Sequence, residues 1–280
     1  MRDPDESITR FIERTDLEII LKALKENGDP VIWRNDLDDD PYAMRLLIEH
    51  NKQHAKYLGA DLLNDKAFLV SIASCYPEVL QKTFNRTFED EQFVFSLIKK
   101  NCACLKYLPR KFHSDYKLCL EAVRQEGFSL MYIDFNLRYA DEIVLAAVSN
   151  RGNALSLATP QQKKNREIVF AAVSNCGLAL DHVDESWKHD FDLVSIAVAN
   201  RGMALRHAAP ELQDNEDIVR IAVQNDGYAI RSASGRLRDN YDLALLAMSS
   251  YQDAYNYLSP RLQNDPELKH IYLSKKKEED

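Results

Sequence analysis

The alternation of apolar and polar positions along the chain restarts every 25 residues. Three neighbouring stretches read NREIVFAAVSNCG from Asn165, DFDLVSIAVANRG from Asp190 and NEDIVRIAVQNDG from Asn215. With Gly127, Gly152, Gly177, Gly202 and Gly227 as the frame position, five of the eight glycines share one phase. Extended outward, the frame falls on Cys102, Pro77, Lys52 and Asn27, and forward on Gln252. Late in each period come apolar pairs such as Ile143/Val144 with Ala147/Val148, and Ile218/Val219 with Ala222/Val223. An i, i+1, i+4, i+5 stripe predicts a helix that buries one face.

The column thirteen past the frame marks where these helices start. It holds Thr15, Asp40, Asp65, Asp90, Asp115, Ala140, Asn165, Asp190, Asn215, Asn240 and Asp265. All but Ala140 carry a side-chain oxygen suited to an N-cap. Pro41 and Pro266 follow two of the caps, where proline is favoured, and Thr15 with Glu18 fits a capping box. Asn150, Asn175, Asn200 and Asn225 close the helices, and the frame glycine after them predicts a left-handed C-terminal residue. A second, shorter helix, α or 3₁₀, is predicted just past the frame from small and apolar columns. These are Ala154, Ala179, Ala204, Ala229 and Ala254, followed by Leu105, Leu130, Leu155, Leu180, Leu205 and Ile230. A loop anchored by Leu62, Phe112, Leu137, Trp187, Leu212, Leu237 or Leu262 then leads to the next cap.

One such unit cannot bury its stripe alone, so neighbours must stack. The expected architecture is an all-α solenoid of about eleven 25-residue two-helix repeats, forming a single domain over 1–280. Residues 1–14 are its N-terminal cap, 15–273 the repeats and 274–280 a solvated tail. The run AAVSNRGNAL at Ala146–Leu155, repeated as AAVSNCGLAL at Ala171–Leu180, resembles tandem α-helical repeats described as a domain of unknown function in bacterial effector-like and protist proteins. The resemblance is clearest from Tyr116 to Arg261, and the architecture is similar to leucine-rich-variant solenoids. It implies a repeat scaffold, for some relatives one delivered by intracellular bacteria into host cells, and it supplies no catalytic residues.

Charge narrows the partners. A net charge of −8 disfavours nucleic acid and anionic membranes, which need a basic face. The N-terminal MRDPDESITRFIER has no apolar signal core and no run is long enough to span a bilayer, so a cytoplasmic location is expected, in the protein's own cell or in a host cell. The five cysteines, an odd number without CxxC spacing, read as thiols of a reducing compartment.

Site chemistry is weak everywhere except in columns. His50 with His54, and His182 with His207, lack the further ligands of a metal site. Asp36, Asp38, Asp39 and Asp40 lack the glycine and closing glutamate of a calcium loop. Lys99, Lys100, Lys106, Arg110 and Lys111 read as a solvated basic patch. No catalytic residue, metal or cofactor is therefore expected. Five past the frame, Tyr57, Tyr107, Tyr132, His182, His207 and Tyr257 form a strip of rings with polar tips, suited to an interface. Arg151 and Arg201 are expected at its rim. A second column, including Val70, Phe95, Leu120, Leu145, Phe170 and Leu245, is either buried or an apolar groove. The expected function is a non-catalytic, monomeric scaffold for a protein or peptide; the alternative is an effector enzyme, or an enzyme's cofactor subunit, with a site assembled across repeats.

Overall fold

Among the described residues, every long helix but one begins where the sequence supplies a capping oxygen. The computed structural model describes residues 38–276. Asp40 accepts from the amides of Tyr42 and Ala43 at 2.9 and 2.8 Å ahead of α1 (Pro41–His50). Asp65 caps α2 (Lys66–Ala73), Asp90 caps α3 (Glu91–Lys100) and Asp115 accepts from Leu118 in α4 (Tyr116–Gln125). Ala140 offers no cap to α5 (Asp141–Asn150), whose first turn instead carries Asp141 and Glu142. Asn165, Asp190, Asn215, Asn240 and Asp265 cap α6 (Arg166–Asn175), α7 (Phe191–Asn200), α8 (Glu216–Asn225), α9 (Tyr241–Ser250) and α10 (Pro266–Lys276). Thr15 and Glu18 lie outside the described residues.

The turn at the frame position differs from its sequence reading. After α5 the chain does not enter a left-handed glycine; Arg151 is extended at φ −136° and ψ 98°, and Gly152 opens a six-residue 3₁₀ helix, Gly152–Leu157. None of the frame glycines has a positive φ. Close approach explains them instead. A Cβ on Gly127 would lie 2.3 Å from the carbonyl oxygen of Ala147, and one on Gly152 2.2 Å from that of Ala172. The next layer's long helix rests on the glycine, so a side chain there would push the layers apart.

Among the described residues the predicted short helix is 3₁₀ in each copy: Lys52–Tyr57, Pro77–Lys82 and Cys102–Tyr107, then Gly127–Tyr132, Gly152–Leu157, Gly177–His182, Gly202–His207, Gly227–Ser232 and Gln252–Tyr257. The stretch read as a loop carries a further helical turn, such as Arg110–Ser114, Glu185–His189 or Pro210–Gln213. Its apolar anchor draws that turn inward; Leu237 and Leu262 are fully buried.

The chain divides into two compact units, Met1–Leu118 and Cys119–Asp280. In the first, α2 packs on α3, and the 3₁₀ helices Lys52–Tyr57, Pro77–Lys82 and Cys102–Tyr107 pack in succession. In the second, α5 to α9 pack each on the next to form one wall, and their 3₁₀ helices form the other. The core lies between the walls. Ile143, Val144, Ala147 and Val148 are fully buried, as are Leu193, Val194, Ala197 and Val198. Each buried Ile, Leu or Val contributes about 1.5–3 kcal/mol. Among the described residues there is no strand, and no helix is long and apolar enough to cross a membrane.

Two polar ladders flank this core in the second unit. The Oδ1 atom of Asn175 accepts from the Gly152 amide at 2.7 Å while its Nδ2 donates to the Ser149 carbonyl at 2.9 Å. Asn150, Asn200 and Asn225 repeat the bond to Gly127, Gly177 and Gly202. At the other edge the amides of Asp184, Ala209, Ser234 and Ser259 donate to the carbonyls of Lys163, Lys188, Gln213 and Arg238.

Candidate functional site

The ring strip lies at the C-terminal end of the 3₁₀ helices. Tyr57, Tyr107, Tyr132, His182, His207 and Tyr257 are each the last residue of one. A 3₁₀ helix has three residues per turn, so the columns divide cleanly between core and surface. Ala204 and Leu205 are buried, Arg206 is exposed and His207 lies half-buried at the margin.

In the first unit, Tyr57 stacks near His54 with ring centroids 6.3 Å apart, and the Lys56 ammonium lies 4.6 Å from its ring. Lys106 takes the same place 5.2 Å from Tyr107. A cation next to a ring is thus repeated along this edge.

The second unit gathers more. His207 is held from both sides: its Nδ1 lies 2.9 Å from Asp181 Oδ1, and the Arg206 Nε–H donates to its Nε2 at 2.8 Å. This arrangement suits a neutral imidazole, and burial, the largest influence, holds its pKa below the ordinary histidine value. Tyr257 meets Tyr228 edge-on at 5.4 Å, and Tyr228 meets Tyr251 edge-on at 5.5 Å. The Arg231 guanidinium lies 5.8 Å from the Tyr228 ring and 5.7 Å from the Tyr257 ring, and donates to the Tyr228 hydroxyl. That bond is the main cause holding the Tyr228 phenol below its ordinary pKa; loss of hydration raises that of Tyr257. Met203, Arg206, Tyr228, Ala229, Arg231 and Ser232 enclose a concavity of about 320 Å³.

Tyr132 and His182 are half-buried on this edge, and Met131 beside Tyr132 is 54% exposed. Arg151 lies elsewhere. It is exposed, pairs with Glu126 at 3.1 Å, and borders a cavity of about 530 Å³ with Asn150, Asn175 and Phe128, along the asparagine ladder. Arg201 is exposed just before Gly202. Sequence reading overlooked Tyr228, Tyr251, Arg206 and Arg231. A signal was present, since Arg206 and Arg231 lie 25 apart and four past the frame.

The second column does not form one uniform groove. Phe95 is 40% exposed and Leu120 is buried, while Phe170 is covered by Trp187, edge-on at 5.8 Å, and by the Arg166 guanidinium at 4.3 Å. Phe95 and Phe112 line a cleft of about 450 Å³ in the first unit, with Lys99 and Lys117 at its border.

The other sequence candidates are engaged structurally. Asp39 accepts from the amides of Asp61 and Leu62, and Asp40 caps α1; Asp36 lies outside the described residues. His54 is buried with Nδ1 2.8 Å from the Leu47 carbonyl. Burial pushes the Cys104 thiol up to about 12, which suppresses the reactive thiolate. Among the described residues no three His, Cys, Asp or Glu side chains converge as for a metal.

No curated protein and no solved structure matches the chain. The model of one family, described as a domain of unknown function (DUF4116), matches residues 90–138, 165–213 and 215–263. Each window spans about two of the 25-residue periods, and together they cover just over half of the chain. Three tandem matches in phase with the capped helices mean that the protein belongs to the DUF4116 family.

Proposed function

We propose that this protein is a non-catalytic repeat scaffold whose 3₁₀-helix edge binds a protein or peptide partner. The observation that supports the reading most is the cluster of Tyr228, Tyr251 and Tyr257 around Arg231, beside Arg206 and His207. Tyrosine and arginine dominate the energetics of protein interfaces, because rigid rings and a planar guanidinium lose little conformational freedom on binding. The sequence resemblance extends the proposal to a partner inside a host cell. An enzymatic reading would need a base set against a nucleophile. The His207–Asp181 pair points its remaining nitrogen at Arg206 rather than at a hydroxyl or thiol, which weighs against that reading.

The test is capture from lysate by two baits, the unmodified chain and a Tyr228→Ala/Arg231→Ala/Tyr257→Ala variant whose helical circular dichroism matches it. A partner held only by the unmodified chain, and bound again as a purified protein, is the expected result. Equal capture by both baits would move the site away from this edge. An absence of any specific partner would count against the scaffold reading itself.

A further inference from the structure

Arg206 and Arg231 occupy the same position in successive repeats and are both exposed. Among the described residues neither forms an ion pair, although the chain carries a net charge of −8. Arg151, Arg220, Arg236 and Arg261, by contrast, each meet a carboxylate. The Asp181 carboxylate faces His207, the ring that Arg206 also meets, and Asp226 caps the far end of the Arg231 helix, accepting from the Tyr228 amide at 3.0 Å.

Both guanidiniums are also held in place. His207 takes the Nε–H of Arg206, and the Tyr228 hydroxyl with the Tyr228 and Tyr257 rings positions Arg231. A guanidinium fixed in advance loses less freedom when it meets an anion, and its planar fork matches a carboxylate. Between them the concavity of about 320 Å³ has Met203 and the Tyr228 ring in its lining, an apolar surface next to the charge. Its size suits one or two side chains rather than a large ligand.

We propose that this concavity receives an aspartate or glutamate side chain of a peptide partner, with an adjacent apolar residue against Met203 and Tyr228. The proposal rests on the peptide-binding reading and adds the partner's chemistry. A polynucleotide would also offer anions, but the net charge of the chain opposes a long polyanion.

The experiment uses the full chain and bead-displayed octapeptide libraries with randomised flanks and one fixed central residue: Glu, Asp, Gln, Asn or Lys. The Glu and Asp libraries should be captured at least tenfold better than the Gln and Asn libraries. Arg206→Gln with Arg231→Gln should remove that preference, while Arg206→Lys with Arg231→Lys should keep part of it. Equal capture of acidic and amide libraries, unchanged in the Gln variant, overturns the acidic assignment. The peptide reading then survives if capture still needs Tyr228 and Tyr257. Capture of no library above bare beads overturns both. Stronger binding of an oligothymidylate than of any acidic peptide, lost with the two arginines, overturns the proposal in favour of a phosphate backbone. Both arginines are exposed, and matching circular dichroism of each variant confirms that the fold is unchanged.

Discussion

The frame glycines show how one residue can be conspicuous in sequence and yet mislead about its reason. Gly177 has its would-be Cβ 2.3 Å from the Ala197 carbonyl oxygen, whereas Gly235 has nothing within 4 Å. Gly177→Ala should therefore lower stability by about 1–3 kcal/mol through overpacking. Gly235→Ala should leave it unchanged, or raise it by up to about 1 kcal/mol by restricting the unfolded chain. Urea unfolding of the two variants decides it, and equal effects would refute the close-approach account. Asparagine at the helix end works across layers too. Asn200 bonds the Gly177 amide at 2.8 Å and the Ser174 carbonyl at 3.1 Å. Asn200→Ala leaves both without that partner and should cost about 1–3 kcal/mol. In the sequence, Asn-x-Gly resembles a local helix stop, because the groups that explain it belong to a different period. Capping was legible for the opposite reason: Asp190 bonds the amide of Leu193, three residues on. Asp190→Ala should cost about 1 kcal/mol in the same assay.

At the level of elements, the long helices and their buried stripe could be read directly, since a 25-residue period aligns every copy of each column. The short turn before each cap could not, because its hydrogen bonds span only three or four residues and a single apolar anchor per turn sets no helical period within it. The candidate site divides in the same way. His207 and Tyr257 belong to a ring column, but Tyr228 and Arg231 come from columns that are Phe128 and Asn153, or Met131 and Ser156, in other repeats. These junctions also carry a pH signature. The Asp214 carboxylate accepts from the Ser234 hydroxyl and pairs with Arg236 at 3.0 Å, and Asp239 repeats this with Ser259 and Arg261. The serine hydroxyls, then the arginines, hold both carboxyls below the ordinary value of 3.8. A folded-state pKa below the unfolded one gives stability that is present above the unfolded pKa and lost as pH falls through the folded value. Asp214→Asn with Asp239→Asn should therefore flatten the decline in melting temperature below about pH 4 and leave its slope near neutrality unchanged. An acid decline as steep as that of the unmodified chain would remove these pairs from the account. Their exposure keeps the expected effect small.

For the whole molecule, nearest-neighbour packing within the second unit implies that a layer is a removable part, provided the new neighbours match. The junction charges decide which layer. Lys164 faces Asp184 at 3.6 Å, His189 faces Glu211, and Asp214 faces Arg236. Deleting residues 176–200 joins Asn175 to Arg201-Gly202, restores the Asn-x-Gly sequence and brings Lys164 opposite Glu211, again a pair of opposite sign. Deleting residues 201–225 is equally in phase, but it brings His189 opposite Arg236 and removes their partners Glu211 and Asp214, together with Arg206 and His207. Deleting residues 188–200 removes α7 with its Asp190 cap and the end of the Glu185–His189 turn, and puts every later column out of register. The first variant should keep its helical circular dichroism and a cooperative melt with only a modestly lower midpoint. The second should fold with a lower midpoint than the first, because His189 and Arg236 both lose their carboxylate partners. The third should lose cooperative unfolding, because the stripe of α8 would meet no matching layer. If all three deletions melted alike, stability would not be organised layer by layer, and the asparagine and carbonyl ladders would be incidental to it. If the first two differed as described, the ladders would set where a layer can be cut and the junction charges which layers can meet.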